Sequence, residues 1–162
     1  MKQSLWLSTV ALLLLALALP TLAAGPTITN NPFTAFTIPA ALGCGTFDVF
    51  AAPEAGKPNG GRIITFANSA IAHGPVFVTL TNVTTGTSIN LNISGPAKIS
   101  FSNNTEVTEG PTLFIGFPSL APANLQGLAL GKGRTVIQFD NSGNIISVTF
   151  TGTAASVCPS LG

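Results

Sequence analysis

Apolar and polar residues alternate in short runs along most of the chain, and each run ends at a cluster of Gly, Pro, Asn or Ser. Alternation with a period of two is typical of half-buried β-strands, and no run keeps a helical period. Turn signals recur roughly every 8 to 12 residues, which is typical of a β-sandwich or β-barrel. The predicted strands cover residues 46–51, 62–67, 76–81, 88–94, 98–102, 112–117, 128–130, 135–140 and 145–151.

Two antiparallel hairpins follow most directly from this pattern. The first joins residues 76–81 to 88–94 through a polar segment in which Gly86 can adopt a positive φ. The second joins residues 135–139 to 145–150 through the turn sequence Asp-Asn-Ser-Gly-Asn. The predicted fold class is therefore all-β, a single antiparallel β-barrel or β-sandwich of about eight or nine strands.

Segments without alternation separate the predicted strands. Residues 52–61 are rich in Gly and Pro and are predicted to form a loop. Residues 116–127 contain two prolines and are predicted to form a loop or a single helical turn. The Thr/Pro/Asn-rich lead at 24–43 can contribute an edge strand to the sheet.

The N-terminal segment has the three parts of a secretory signal peptide in order. Lys2 is the positive region, residues 10–19 are apolar, and Thr21 and Ala23 occupy the two small positions of a cleavage site. A membrane anchor is the alternative, but the apolar run is shorter than the roughly 20 residues that span a bilayer, and it ends at Pro20. We therefore predict cleavage after Ala23 and export.

The chain then divides into three segments: a signal peptide at 1–23, the lead at 24–43 and one β-domain at 44–162. The mature part is long enough to bury a single core. No later segment is long and apolar enough for a membrane span, so the protein is predicted to be secreted and extracellular.

Cys44 and Cys158 are the two cysteines of the chain. An even number in an exported protein predicts a disulfide, which here closes nearly the whole β-domain. A loop of that length stabilises a fold by about 4 to 5 kcal/mol in the chain-entropy account. A reactive thiol or metal pair is the weaker alternative, because the cysteines are far apart and no histidine accompanies either.

Charge is scarce, since Asp, Glu, Lys and Arg make up 7% of the chain. Removing Lys2 with the signal peptide leaves five basic and five acidic residues, so the mature chain has a formal net charge of zero. A neutral surface supplies neither the phosphate-neutralising patch of nucleic-acid binding nor the polybasic patch that holds proteins on anionic lipid. Neither nucleic acid nor an anionic lipid surface is therefore predicted as a partner.

Candidate chemistry is sparse. His73, the single histidine, lies between predicted strands and is interpreted as a surface loop residue rather than a catalytic base. Glu106 and Glu109 are interpreted as a solvated turn rather than a calcium loop, whose regular oxygen spacing is missing. The Gly-Lys-Gly-Arg sequence at 131–134 is interpreted as a charged hairpin turn rather than a phosphate nest. We therefore predict no catalytic residue, no cofactor, no metal ligand, and a protein that is not an enzyme.

Aromatic content narrows the choice of ligand. Trp6 falls in the signal peptide and Tyr is absent, so Phe supplies every ring of the mature chain. Sugar-binding modules stack sugars on Trp or Tyr, and antibody-like domains pack a Trp on their disulfide, so both classes are disfavoured. The phenylalanines predicted to lie on strands and in the core are Phe47, Phe66, Phe77, Phe101, Phe114, Phe139 and Phe150.

Three Asn-x-Ser/Thr sequences occur, at Asn82, Asn92 and Asn103. They are glycosylation acceptors only if the protein passes through a eukaryotic secretory pathway.

Several short sequences carry a resemblance to a known group. They are Thr-Leu-Thr-Asn at 79–82, Gly-Thr-Ser at 86–88, Asn-Ile-Ser-Gly-Pro at 92–96, and the hairpin Gln-Phe-Asp at 138–140 with Gly-Asn at 143–144. Together with a cysteine at each end, they resemble small uncharacterised secreted β-rich proteins of actinobacteria. The resemblance covers about residues 44–158. It implies a bacterial, secreted β-domain and brings no catalytic residue.

Two functions from different classes fit these observations. The first is a non-catalytic secreted or cell-surface β-domain with a recognition or structural role and an unknown surface partner. The alternative is a carrier that holds a small apolar ligand inside a closed β-barrel, as barrels of about eight strands can. A hydrolase with His73 as its base is a distant third.

Overall fold

The computed structural model describes residues 25–117 and 121–162, so the predicted signal peptide lies outside the described residues. Within these ranges the chain forms eleven β-strands and three short 3-10 helices. The strands are β1 Thr27–Asn30, β2 Phe36–Ile38, β3 Val49–Pro53, β4 Arg62–Thr65, β5 Ser69–His73, β6 Phe77–Asn82, β7 Ser88–Asn92, β8 Ala97–Ser100, β9 Thr105–Phe117, β10 Gly127–Phe139 and β11 Ile145–Ser156. The 3-10 helices are η1 Ala40–Leu42, η2 Ala123–Leu125 and η3 Cys158–Ser160.

The strands form two antiparallel sheets. The large sheet has the order β1-β4-β5-β8-β9-β10-β11, and the small sheet has the order β2-β3-β6-β7. The predicted all-β class is confirmed, and the architecture is a sandwich. The strands of the described residues do not close into a barrel, because β1 and β11 end the large sheet and β2 and β7 end the small one.

The small sheet is a folded continuation of the large one. Four chain segments each contribute one strand to each sheet. The two strands of each segment follow one another along the chain: β1 and β2, β3 and β4, β5 and β6, and β7 and β8. Their order across both sheets is the same, so they form one meander that bends between its two halves. The structure has more strands than the eight or nine predicted, because the lead contributes β1 and β2 and residues Ser69–His73 form β5.

Glycines mark the line where the meander bends, and the same line continues across β9, β10 and β11. A Cβ atom on Gly95 would lie 2.5 Å from the carbonyl oxygen of Pro111, and one on Gly133 would lie 2.8 Å from the Cα of Gly152. Glycine in a strand is typical of a tight bend or a close approach of two backbones. We call this row the glycine line, and its members are Gly61, Gly74, Gly95, Gly110, Gly133 and Gly152.

The main core lies between the small sheet and the C-terminal part of the large sheet. Its buried members come from β2, β3 and β6 on one side and from β10 and the C-terminal segment on the other. They are Ile38, Val49, Ala51, Val78, Leu80, Leu128, Val157 and Leu161. Leu113, Ile115 and Leu130 pack against this core from the large sheet.

The predicted disulfide is confirmed. Cys44 and Cys158 are bonded, with their Cα atoms 5.4 Å apart and a sequence separation of 114. Cys44 lies in the loop between β2 and β3, whereas Cys158 begins η3 after β11. The bond therefore fastens the small sheet to the end of the large one.

A second core lies on the opposite face of the large sheet. Phe114, Ile137 and Val148 are buried there against Ala121 and Leu125. Leu125 belongs to η2, so the segment predicted as a loop or a single helical turn contains such a turn and covers this face. Phe150 meets Phe114 edge-on, with ring centroids 6.3 Å apart.

Both predicted hairpins are confirmed. β6 pairs with β7, and Gly86 in their turn has a φ of 76°. β10 pairs with β11, and Asp140 Oδ1 accepts hydrogen bonds of 2.8 Å from the backbone N–H groups of Ser142 and Asn144. Hydrogen bonds from the Asn144 side chain, above all, hold the pKa of Asp140 below its ordinary value.

Three features of the fold differ from the sequence-based expectations. Strand β5 was not predicted, because the alternation of Ser69–His73 is hidden by two alanines. The separate runs 128–130 and 135–140 belong to one strand, β10. Phe66 and Phe101 are exposed, at 42% and 48%, because each lies in a turn just beyond a short strand rather than in the core.

Candidate functional site

One face of the large sheet is covered over part of its area and open over the rest. Residues directly opposite each other on antiparallel strands point to the same face, and alternate residues of one strand do so as well. On β9, Leu113 points towards the small sheet, and by this alternation Val107 and Glu109 share its face. The small sheet covers the face beyond Gly110 towards the end of β9. We call that part the covered half and the part on the other side of the glycine line the open half.

The open half contains a cleft of about 590 Å³. The strand register places Ile71 opposite Lys98 and Lys98 opposite Val107, so these side chains form a row across the cleft floor. Glu109 and Arg134 form the next row. The lining residues are Ile71, Pro96, Ala97, Lys98, Ser100, Asn103, Thr105, Val107, Glu109 and Arg134.

The cleft combines the apolar side chains of Ile71 and Val107 with charged and polar side chains. Arg134 Nε lies 3.6 Å from Glu109 Oε1, with both side chains more than half exposed. Such an exposed pair contributes at most about 1 kcal/mol, so both groups can turn to a ligand at little cost. Lys98 is exposed and has no carboxylate partner among the described residues. The cleft thus presents two cations, one carboxylate and several hydroxyl or amide groups.

The structure does not bring Glu106 and Glu109 together, and they do not lie in a loop as predicted. Both belong to β9, three residues apart, so their side chains point to opposite faces of the sheet. Glu106 lies opposite Ile99 on β8 and Ile137 on β10. Burial among these neighbours raises the pKa of Glu106.

The 131–134 sequence is in the interior of β10, and the predicted hairpin turn is wrong at this point. Glycine in a turn and glycine at a close approach of two strands cannot be told apart by residue type. Gly133 lies opposite Gly110 on β9 and Gly152 on β11, so this glycine serves a close approach of neighbouring strands and not a turn. Lys132 instead lines a second, smaller cleft of about 360 Å³ between β7 and the β10–β11 pair.

His73 ends β5 rather than lying in a loop between strands, and its side chain is exposed opposite Arg62. The structure does not assemble it with the acidic residues of a triad. Asp48 accepts a hydrogen bond from the backbone of Ala40, and Asp140 is engaged in the β10–β11 turn. Among the described residues, no three His, Cys, Asp or Glu side chains lie close enough together to hold a metal ion.

The three glycosylation sequences lie in different environments. Asn82 is buried, and its side-chain amide donates a hydrogen bond of 3.1 Å to the backbone oxygen of Leu161. Asn92 and Asn103 are exposed. Asn103 also lines the cleft of the open half. Their use as glycosylation acceptors only in a eukaryotic secretory pathway stays a prediction.

Sequence reasoning missed the cleft because its lining is spread over four strands and the turn after β8. One signal in the sequence does mark it. Every second residue of β9 points to the same face, and these residues change from a mixed set (Thr105, Val107 and Glu109) before Gly110 to the apolar Leu113 and Ile115 after it. The loss of polar residues within one alternation coincides with the point where the covering sheet begins.

Comparison of the chain with protein-family models, with curated proteins and with solved structures gives no match. In the part of the chain that the structure describes, no helix has the length and apolar character needed to cross a membrane.

Proposed function

We propose that this protein is a non-catalytic secreted recognition domain that binds its partner in the cleft of the open half. The observation that carries the proposal is the cleft itself, about 590 Å³ in volume and lined from four adjacent strands of one sheet. Side chains on paired strands keep their positions better than side chains on loops, which suits them to recognition.

The chemistry of the cleft favours a partner with an apolar part and an acidic or hydrogen-bonding part. Ile71, Pro96 and Val107 provide apolar contact, while Lys98 and Arg134 outnumber the single carboxylate of Glu109. Binding sites of this kind combine an apolar lining with a few polar groups that fix orientation. An acidic or hydrogen-bonding group placed over β8 and β9 would meet Lys98 and the hydroxyl of Ser100.

The open shape of the cleft supports a recognition domain over a carrier of a small apolar ligand. A carrier encloses its ligand, and the closed barrel that the carrier hypothesis required is not the fold observed. The interior of the sandwich is filled by side chains that are essentially unexposed, among them Val49, Val78 and Leu80. A ligand in the open half keeps one side in solvent, as does a group that belongs to a larger partner.

Export is part of the same proposal. The disulfide between Cys44 and Cys158 is compatible with an oxidising compartment outside the cytoplasm. The segment 1–23 provides the secretory signal in this proposal. An extracellular partner is then the natural one for a cleft on the outside of the domain.

A pair of lysine substitutions tests the cleft as the binding site. Lys98→Trp fills the cleft of the open half, whereas Lys132→Trp makes the same change on an exposed strand position in the second cleft. The measurement is binding of the mature, oxidised and fluorescently labelled protein to the surface of the cells that secrete it. We expect Lys98→Trp to weaken binding by about tenfold or more and Lys132→Trp to bind like the unmodified protein.

Two results would contradict the proposal. One is surface binding by Lys98→Trp equal to that of the unmodified protein, with both variants folded by circular dichroism. The other is no surface binding by the unmodified protein. A native mass of the secreted protein that exceeds the denatured mass by a discrete amount would instead support carriage.

A further inference from the structure

We propose that the outer edge of β11 pairs with the same edge of a second copy of the chain. The two strands run antiparallel about a twofold axis at Thr151, and the two large sheets become one continuous sheet. This pairing is independent of the cleft, because it uses the edge of the sheet rather than its open half.

The two edge strands of the large sheet differ in how they are protected. β1 has four residues, and Pro26 and Pro32 stand close to its two ends. β11 has twelve residues and contains neither a proline nor a charged residue. Soluble proteins protect free edges with short strands, prolines or charges, so a long neutral edge without these devices is suited to pairing.

The backbone of β11 is available on its outer side. β11 pairs with β10 along Ile145–Ser156, and the described residues provide no backbone partner on its other side. Gly152 in the middle of the strand is exposed. An antiparallel strand turns about half of its N–H and C=O groups to each side, so β11 presents a row of unpaired donors and acceptors.

The sequence of β11 is complementary to itself when it is reversed about Thr151. This register places Phe150 opposite Gly152, Val148 opposite Ala154, and Thr149 opposite Thr153. Each large side chain then faces a small one, and threonine faces threonine. An aromatic residue opposite a glycine is a favourable cross-strand pair, and so is a threonine opposite a threonine.

Charge also favours a second copy of the chain as the partner of the β11 edge. The mature chain has a formal net charge of zero, so two copies approach without net repulsion. Every pair in this register is uncharged, and a twofold axis gives the same contacts to both copies. No separate partner has to supply a complementary strand.

Two double variants that differ at one residue test the pairing and its register. Thr149→Glu with Thr153→Glu places like charges opposite each other twice across the axis, whereas Thr149→Lys with Thr153→Glu places opposite charges there. Both residues are exposed, and residue 153 lies opposite Lys132, so glutamate at 153 is tolerated within one chain. Thr151→Glu, opposite Arg134, serves as a third variant if the first does not fold.

The measurement is the monomer–dimer equilibrium of the mature, oxidised protein by sedimentation with interference optics, because the mature chain contains no Trp or Tyr. We expect the unmodified protein to dimerise, the double glutamate variant to dimerise about tenfold or more weakly, and the lysine–glutamate variant to retain the dimer. Amide exchange of β11 is expected to slow as the dimer forms.

Other results overturn the proposal. A protein that stays monomeric at high concentration has no such pairing. Dimers that survive the double glutamate change use another surface, and equal loss in both double variants excludes this register. An edge found occupied by a different polypeptide also overturns it.

Discussion

The covered and open halves of the large sheet are built from the same long strands, and they differ chiefly in what lies above them. In the covered half, Leu113 and Leu130 pack against the small sheet. In the open half, Val107 and Arg134 occupy the same face of β9 and β10 and line a cleft. Strand geometry is shared between the halves, so the covering sheet decides which part of the face stabilises the fold and which part is available to a ligand.

The largest expected effect comes from the disulfide, because it fastens the covering sheet to the large sheet. Replacing Cys44 and Cys158 together by serine is expected to lower the free energy of unfolding by about 3 to 5 kcal/mol. Urea denaturation followed by circular dichroism measures this loss. Reduction of the unmodified protein is the matched control and should give a similar loss. A loss below about 1 kcal/mol would show that the core alone holds the two sheets together.

Truncation of one aliphatic residue in each half tests how much each half contributes to stability. Leu80 is fully buried in the small sheet, whereas Ile71 is partly exposed in the cleft floor. We expect Leu80→Ala to cost about 3 kcal/mol and Ile71→Ala about 1 kcal/mol, because only the first leaves a closed cavity. Urea denaturation of both variants checks the difference. If both variants lost the same free energy of unfolding, the covered half would not contribute more to stability than the open half, contrary to this prediction.

Glu106 provides the smallest effect, on the face opposite the cleft. Burial raises its pKa above the ordinary value of 4.5, so the folded protein holds the proton more tightly than the unfolded chain does. The free energy of unfolding therefore falls as the pH rises through the pKa that Glu106 has in the folded protein. Glu106→Gln is expected to be more stable than the unmodified protein at pH 7 and equally stable well below pH 4.5.

Thermal unfolding across this pH range measures the difference. Glu109→Gln, on the exposed face, controls for the loss of one negative charge. A gain from Glu106→Gln that stays the same at every pH would show that charge burial is not its cause.

Local features of the fold were predictable from the sequence because each depends on neighbouring residues. The β6–β7 and β10–β11 hairpins follow from alternation and from turn residues such as Gly86 and Asp140. The disulfide follows from the number of cysteines and the predicted signal peptide. These signals lie within a few residues of one another or need no distance information.

The bends and the cleft were not predictable because they depend on residues from distant strands. Gly133 was interpreted as part of a turn, and only its position opposite Gly110 and Gly152 shows that it serves a close approach of strands. Lys98 and Arg134 are 36 positions apart and meet in one cleft through the order of β8, β9 and β10. Alternation along a strand shows which residues share a face, but it does not show which distant strands meet there.

The glycine line also restricts how the sequence of this domain can vary in length. Five of its six glycines, all but Gly110, leave no room for a Cβ beside a backbone atom of a neighbouring segment, as Gly95 does beside the carbonyl of Pro111. Inserting or deleting one residue within β10 would shift Gly133 out of line and bring a side chain against the backbone of β11. Changes in length are therefore tolerated in the turns at the strand ends, whereas the strands themselves keep a constant number of residues on each side of the bend.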